Sequence, residues 1–155
     1  NDWDTVRSGG DEAIKRWIKK QMEGRTCSIV LIGEESASRL CVLYEIQESW
    51  NAGKGVVGIH VHNLLDQQQQ ATPKGRNPFD RVGVKLDSKG RLIARYKDRL
   101  DRIADLLITF DDEKRLSEVV KTYNPPYTRS KNVYEHIRAN LSTWVEESIR
   151  IRSRY

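Results

Sequence analysis

The sequence has little cysteine. Its two residues, Cys27 and Cys41, both sit in apolar stretches. They read as reduced core residues, which excludes a disulfide framework or a cysteine zinc site. Long apolar runs are missing, so a transmembrane helix is excluded. No basic-apolar-small leader opens the chain, and a cytoplasmic protein is the expectation. The single methionine is Met22 rather than the first residue, so the chain is expected to start inside a longer protein. A glycine-rich phosphate loop is absent, because Gly53-Lys54-Gly55 lacks the P-loop spacing. No period repeats, which argues against a solenoid. What is present suits one modest domain: 155 residues, 37% apolar and 32% charged, with a net charge of +5.

Residues 11–62 alternate in character. Asp11 and Glu12 sit where a helix amino terminus favours acids, and Ile14, Trp17, Ile18 and Met22 follow at helical spacing. Thr26 to Gly33 is a β-branched, nearly continuous apolar run, which predicts a strand buried on both faces. Leu40, Leu43, Ile46 and Trp50 mark a second helix, with Ser36 or Ser38 as its cap. Val56 to His62 reads as a second strand. Helix, strand, helix, strand with short connections is the sequence form of a parallel α/β sheet.

The remainder is less regular. Residues 63–77 read as a solvated loop. Val82, Val84 and Leu86 alternate, and Ser88-Lys89-Gly90 suggests a turn. Leu92, Ile93, Tyr96, Leu100, Ile103, Ala104 and Leu107 fit a helix better than a strand, with a hairpin over 82–96 as the alternative. Asp111-Asp112-Glu113 starts a short helix through Val119 and Val120, and Asn124-Pro125-Pro126 breaks it. A final amphipathic helix spans Ser130 to Arg152.

In an open parallel sheet, ligands bind beyond the carboxyl ends of the strands. That rule selects Gly33 to Ser38 and His60 to Asn63. Gly33, Glu34, Ser36 and His62 are therefore the candidates for binding a ligand at these strand ends. Set against this is a plain polar loop with a capping serine. Glu45, flanked by Tyr44 and Ile46, is the carboxylate whose desolvation would suit it to proton transfer or cation stabilisation; the plain alternative is a surface helix acid. His60 and His62 share a strand face, but no third ligand has suitable spacing, so no metal site is expected. Lys85, Lys89, Arg91, Arg95, Lys97, Arg99 and Arg102 form a basic cluster. Its interleaved acids, Asp87, Asp98 and Asp101, favour a solvated face over a nucleic-acid surface.

Taken together, Gly10-Asp11-Glu12-Ala13-Ile14-Lys15-Arg16-Trp17-Ile18, Cys27 to Gly33, Tyr44-Glu45-Ile46 and Gly53 to Asn63 resemble the bacterial TIR-like domains of Thoeris antiphage-defence ThsB proteins. Asn77-Pro78-Phe79 and the tail from Lys121 into the Glu146-Glu147 helix are similar to the same group. The resemblance implies a single flavodoxin-like domain over 1–155, a parallel sheet with helices on both faces. It implies NAD+ as substrate rather than as a cofactor. It further implies cleavage of the nicotinamide–ribose bond and an ADP-ribose-derived signal that activates a separate effector protein. It also implies homo-oligomers; the short apolar runs speak against a membrane partner, and the interleaved acids rank a nucleic-acid partner last. The family's catalytic glutamate, in the form Trp-Val-x-x-Glu-Ile, falls on Glu45 in Cys41-Val42-Leu43-Tyr44-Glu45-Ile46, with Cys41 where an aromatic residue is usual. Family members open with a strand, a helix and a second strand, which do not precede the first helix here. Residues 86–110 read as an insertion. Beside the enzyme stand a non-catalytic TIR-like interaction module and a nucleic-acid binder resting on Arg91, Arg95 and Arg99.

Overall fold

The computed structural model describes residues 10–65, 68–96 and 114–155. Helix α1, Gly10–Met22, buries Ile18 against Tyr44. The side chains of Ile14, Trp17 and Met22 lie outside the described residues. Strands β1, Cys27–Ile32, and β2, Gly55–His60, run parallel in the register Cys27↔Gly55 to Ile32↔His60. Helix α2, Leu40–Asn51, makes the crossover between them. The two-residue strand β6, Thr122–Tyr123, pairs parallel with the other edge of β2, giving the order β1-β2-β6.

Helices cover this sheet on both faces, as the resemblance implies. On one face Leu43, Ile46 and Trp50 of α2 pack on Val30, Ile32 and Val56. On the other lies α3, Ser130–Ser153, whose Trp144 meets Val57 and Ile59. Gly55 permits that approach: a Cβ there would lie 2.8 Å from the Ile149 amide nitrogen. Every residue of β2 is buried, as its central position requires.

Strand β1 departs from the sequence expectation. It is not buried on both faces: alternate residues point to solvent, and Ile29 and Leu31 are 38% and 59% exposed. The cause is its place in the sheet. Helix α3 sits over β2, and among the described residues β1 is the outer strand.

The second departure is at 82–96. Here β3, Val82–Leu86, and β4, Leu92–Tyr96, form an antiparallel hairpin, and β5, Lys114–Arg115, pairs with the far edge of β3. Leu92 therefore opens a strand rather than a helix. Two forces select the strand. Leu92, Ala94 and Tyr96 alternate onto the core shared with α2. Side chains of α2 also satisfy the outer backbone edge of β4. Trp50 Nε1 donates to the Leu92 carbonyl at 2.8 Å. Asn51 receives the Ala94 amide at 2.8 Å and donates to the Ala94 carbonyl at 3.0 Å. Gln47 Oε1 accepts from the Tyr96 amide at 3.1 Å. Such pairing is what a strand edge needs if no neighbouring strand supplies it. The rest of the expected helix (Leu100, Ile103, Ala104, Leu107), the Asp111 to Glu113 start, and most of the proposed 86–110 insertion lie outside the described residues. After β5 the chain makes a short 3-10 turn, Leu116–Glu118, rather than an α-helix.

Candidate active site

The carboxyl ends of β1 and β2 form one rim. After β1, the Gly33 amide donates to Ser36 Oγ at 2.8 Å, and that hydroxyl donates to the Leu31 carbonyl at 3.3 Å. Ser36 thus closes its own loop. It does not cap α2: the residue at the cap position is Arg39, which makes no side-chain capping bond, and neither does Ser38. Glu34 is exposed on this loop, and Glu35 reaches Arg39 at 3.7 Å.

The segment after His62 folds back over the same loop. The Thr72 amide donates to the His62 carbonyl at 3.0 Å. Gly75 lies so close to Gly33 that a Cβ there would collide with the Gly33 carbonyl oxygen. Asn77 Oδ1 accepts from the Phe79 amide at 2.9 Å, and its Nδ2 donates to Thr122 Oγ1 at 3.1 Å, which ties this segment to β6. The rim therefore brings together Gly33, Glu34, Ser36 and His62, the four residues expected from the sequence. It adds Lys74, Gly75 and Asn77, which the sequence pattern assigns to a solvated loop. Asn77 before Pro78 carries the available signal, an N-cap residue followed by proline at the first helical position.

His60 and His62 meet edge to face, with ring centroids 6.0 Å apart. His60 is 6% exposed, and the Nδ1 atoms of both rings are buried without a hydrogen-bond partner among the described residues. Burial above all, then the Lys74 charge and then His62, holds the His60 pKa below its ordinary value. His60 is thus held toward its neutral form, in which one ring nitrogen donates and the other accepts. No group of three or more His, Cys, Asp or Glu gathers for a metal among the described residues.

Glu45 stands apart from the rim. It sits within α2, half-buried, and no hydrogen bond or ion pair among the described residues engages its carboxylate. One turn later Ser49 shares a 2.6 Å hydrogen bond with Ser28 of β1, and one turn earlier Cys41 packs on the Ile18–Tyr44 cluster. Residues four apart share a helix face. Glu45 therefore looks out between α1 and β1, toward the outer edge of the parallel sheet. Burial raises its carboxyl pKa above the ordinary range. Desolvation without a partner is the environment expected of a carboxylate kept for chemistry, not for stability.

The basic cluster is not a free patch. Arg91 pairs with Asp87 at 2.9 Å, while Lys97, Arg99 and Arg102 lie outside the described residues.

The order α1, β1, α2, β2, with Glu45 in α2 and His62 after β2, falls within the part of the chain that matches a known family. Residues 1–66 match the family described as Thoeris protein ThsB, TIR-like domain. This part of the chain is similar to the TIR-like domain of Thoeris ThsB proteins. A relative from Bacillus cereus (strain MSX-D12), named "Putative cyclic ADP-D-ribose synthase ThsB1", is 33% identical over 95 residues. That alignment covers 61% of this chain and 50% of the relative, so the chain spans about half the length of the curated protein it matches. The layered parallel sheet is the architecture that a TIR-like α/β fold requires. Among the described residues no helix is long and apolar enough to cross a membrane.

Proposed function

We propose that this TIR-like domain belongs to an enzyme that cleaves the nicotinamide–ribose bond of NAD+ and converts the ADP-ribose moiety into a signal molecule. The observation that carries the reading is Glu45, a half-buried carboxylate with no partner among the described residues, inside the segment that matches the ThsB domain. The name of the relative supports a cyclic ADP-ribose product. In NAD+ the nicotinamide nitrogen is already cationic, so the ring leaves as a neutral molecule without a general acid. The positive charge passes to the ribose as an oxocarbenium-like centre. A fixed carboxylate stabilises that charge and orients the ribose hydroxyls. Water, or a nucleophile within the same ADP-ribose, then closes the reaction at the anomeric carbon.

In this reading the roles divide between Glu45 and the rim. Glu45 acts at the ribose. Gly33, Glu34, Ser36 and His62, on the rim beyond β1 and β2, hold the nucleotide. The product acts on a separate effector, and the enzyme works as a homo-oligomer in the cytoplasm.

A second reading has its own support. The outer face of β1 exposes Ile29 and Leu31, and no hydrogen bond joins Glu45 to the rim among the described residues. A non-catalytic module that assembles through this face would look the same. The test is NAD+ consumption by the full-length protein at high concentration, wild type beside Glu45→Gln, with products identified by mass. Nicotinamide release that disappears in the variant supports the enzyme. Assembled, folded protein that releases none, with infected-cell extract added, supports the interaction module.

A further inference from the structure

His60 and His62 hold two buried ring nitrogens that find no partner among the described residues. Side chains along β2 alternate between the faces of the sheet. Val57 and Ile59 meet Trp144 of α3, so Gly58 and His60 face the other way, where a Cβ on Gly58 would touch Phe79 and Thr122. The His62 ring lies beside that of His60. The 72–77 segment crosses this end of the sheet, tied at one end by the Thr72 amide on the His62 carbonyl and at the other by Asn77 on Thr122. Lys74 stands between the two ties, close enough for its charge to act on His60.

Burial decides where the ring protons sit. In both rings the nitrogen buried without a partner is Nδ1, and neither Nε2 is in that state among the described residues. A proton on such an Nδ1 would be an orphaned donor, which folded proteins avoid more strictly than an unfilled acceptor. Each ring therefore carries a proton on Nε2; this tautomer follows from hydrogen-bond accounting alone. A second proton on His60 is opposed by burial, by Lys74 and by His62. No carboxylate is among the groups that act on His60, and Glu35 on the adjoining loop already reaches Arg39. Two Nε2–H groups and one ammonium make a set that donates and does not accept, which suits an anion. We propose that His60, His62 and Lys74 form a phosphate-binding subsite, in which Nε2–H of each ring and the Lys74 ammonium donate to phosphate oxygens. The inference rests on the reading of the rim as a nucleotide site and deepens it: the phosphates are the diphosphate of NAD+, and His60 and Lys74 join His62 as binding residues.

Inorganic diphosphate, ADP and adenosine are titrated into the full-length protein by calorimetry. Diphosphate and ADP are expected to bind saturably, with adenosine roughly tenfold weaker than ADP. Lys74→Gln weakens diphosphate about fivefold, as loss of an exposed charge pair does. His60→Gln keeps an amide nitrogen near the place of Nε2 and retains most of the binding, whereas His60→Asn, whose amide falls at Nδ1, loses it. Arg91→Gln removes the same charge from the β3–β4 turn and leaves binding unchanged. Circular dichroism and thermal melts check that each variant is folded. Nitrogen-15 shifts of the wild-type rings read the tautomer without any substitution. The proposal falls if diphosphate does not bind, if adenosine binds as tightly as ADP, if Arg91→Gln costs as much as Lys74→Gln, or if either ring carries its proton on Nδ1 alone. Binding needs no turnover. Diphosphate binding without nicotinamide release sinks the catalytic reading and leaves the subsite standing; nicotinamide release without diphosphate binding does the reverse.

Discussion

Arg152 fastens the carboxyl end of α2 from across the molecule. Its Nε donates to the Trp50 carbonyl at 2.9 Å, and its guanidinium lies 4.5 Å from the centre of the Trp50 ring. The helix carrying Glu45 is thereby tied to α3, which covers the opposite face of the sheet. A guanidinium performs both tasks because it is planar and carries several donors.

Arg152→Ala removes one charge-assisted hydrogen bond and one cation–π contact. A loss of about 2 kcal/mol is expected, from ~1–1.5 for the first and ~0.5–1 for the second. Arg152→Lys restores less than half, since an ammonium cannot stack and bond at once. Urea unfolding of the three proteins measures both.

Glu45 links stability to pH in the direction opposite to a salt-bridged acid. Burial raises its folded pKa above the ordinary value of 4.5. Just above that value the folded protein keeps a proton that the unfolded chain has released. Stability therefore falls as pH rises from 4.5 toward the folded pKa. Glu45→Gln flattens this part of the profile and raises the melting temperature at pH 7. If the ionised carboxylate stabilises the ribose cation, NAD+ cleavage follows the same group and declines as pH drops below its folded pKa. A Glu45→Gln variant less stable than wild type at pH 7 would contradict the assignment.

Gly75→Ala tests the rim without touching its polar groups. The new methyl would meet backbone, the Gly33 carbonyl, so the 72–77 segment must lift from the loop after β1. Overpacking of this kind costs ~1–3 kcal/mol. Faster amide exchange at Gly33, Ser36 and Thr72, with the β3–β4 hairpin unchanged, is the expected signature.

Asp87 organises the turn between β3 and β4. Its Oδ1 accepts from the Lys89 and Arg91 amides and its Oδ2 from Arg91 Nε, each at 2.9 Å. These bonds, led by the Arg91 amide, hold its pKa below the ordinary 3.8. The stabilisation is complete above that value and is lost as pH falls through the depressed one. Asp87→Asn keeps the two amide bonds, and Asp87→Ala loses all three. Hydrogen exchange at Lys89 and Arg91 is expected to accelerate strongly in the alanine variant and weakly in the asparagine variant.

The first half of the fold is legible in the sequence because each element there carries its own periodicity. Leu43, Ile46 and Trp50 step at helical spacing and are fully buried, and the run Val56 to Ile59 is buried on both faces. Local pattern fails where a partner decides the outcome. Leu92 to Tyr96 satisfies a helical template as readily as a strand, and the choice is made by Gln47, Trp50 and Asn51, more than forty residues away. Ile29 and Leu31 look like core residues in sequence, and only the position of β1 in the sheet leaves them exposed. Glu34, Ser36 and His62 lie beyond the ends of β1 and β2, where the rule for parallel sheets looks for a ligand, and Glu45 lies in α2, where its segment puts it. The contact of Gly75 with Gly33 depends on a chain reversal that no local pattern encodes.

The side chains that occupy the β4 edge have a consequence for self-association. A bare strand edge is a template on which another chain can add a strand. On β4 the backbone groups of Leu92, Ala94 and Tyr96 are taken by α2, so a second chain finds no continuous row of donors and acceptors there. Strand β1 has no such guard: no strand pairs with its outer edge among the described residues, and apolar Ile29 and Leu31 stand beside it. Of these two edges, that of β4 is closed to strand addition, and that of β1 has no such cover among the described residues.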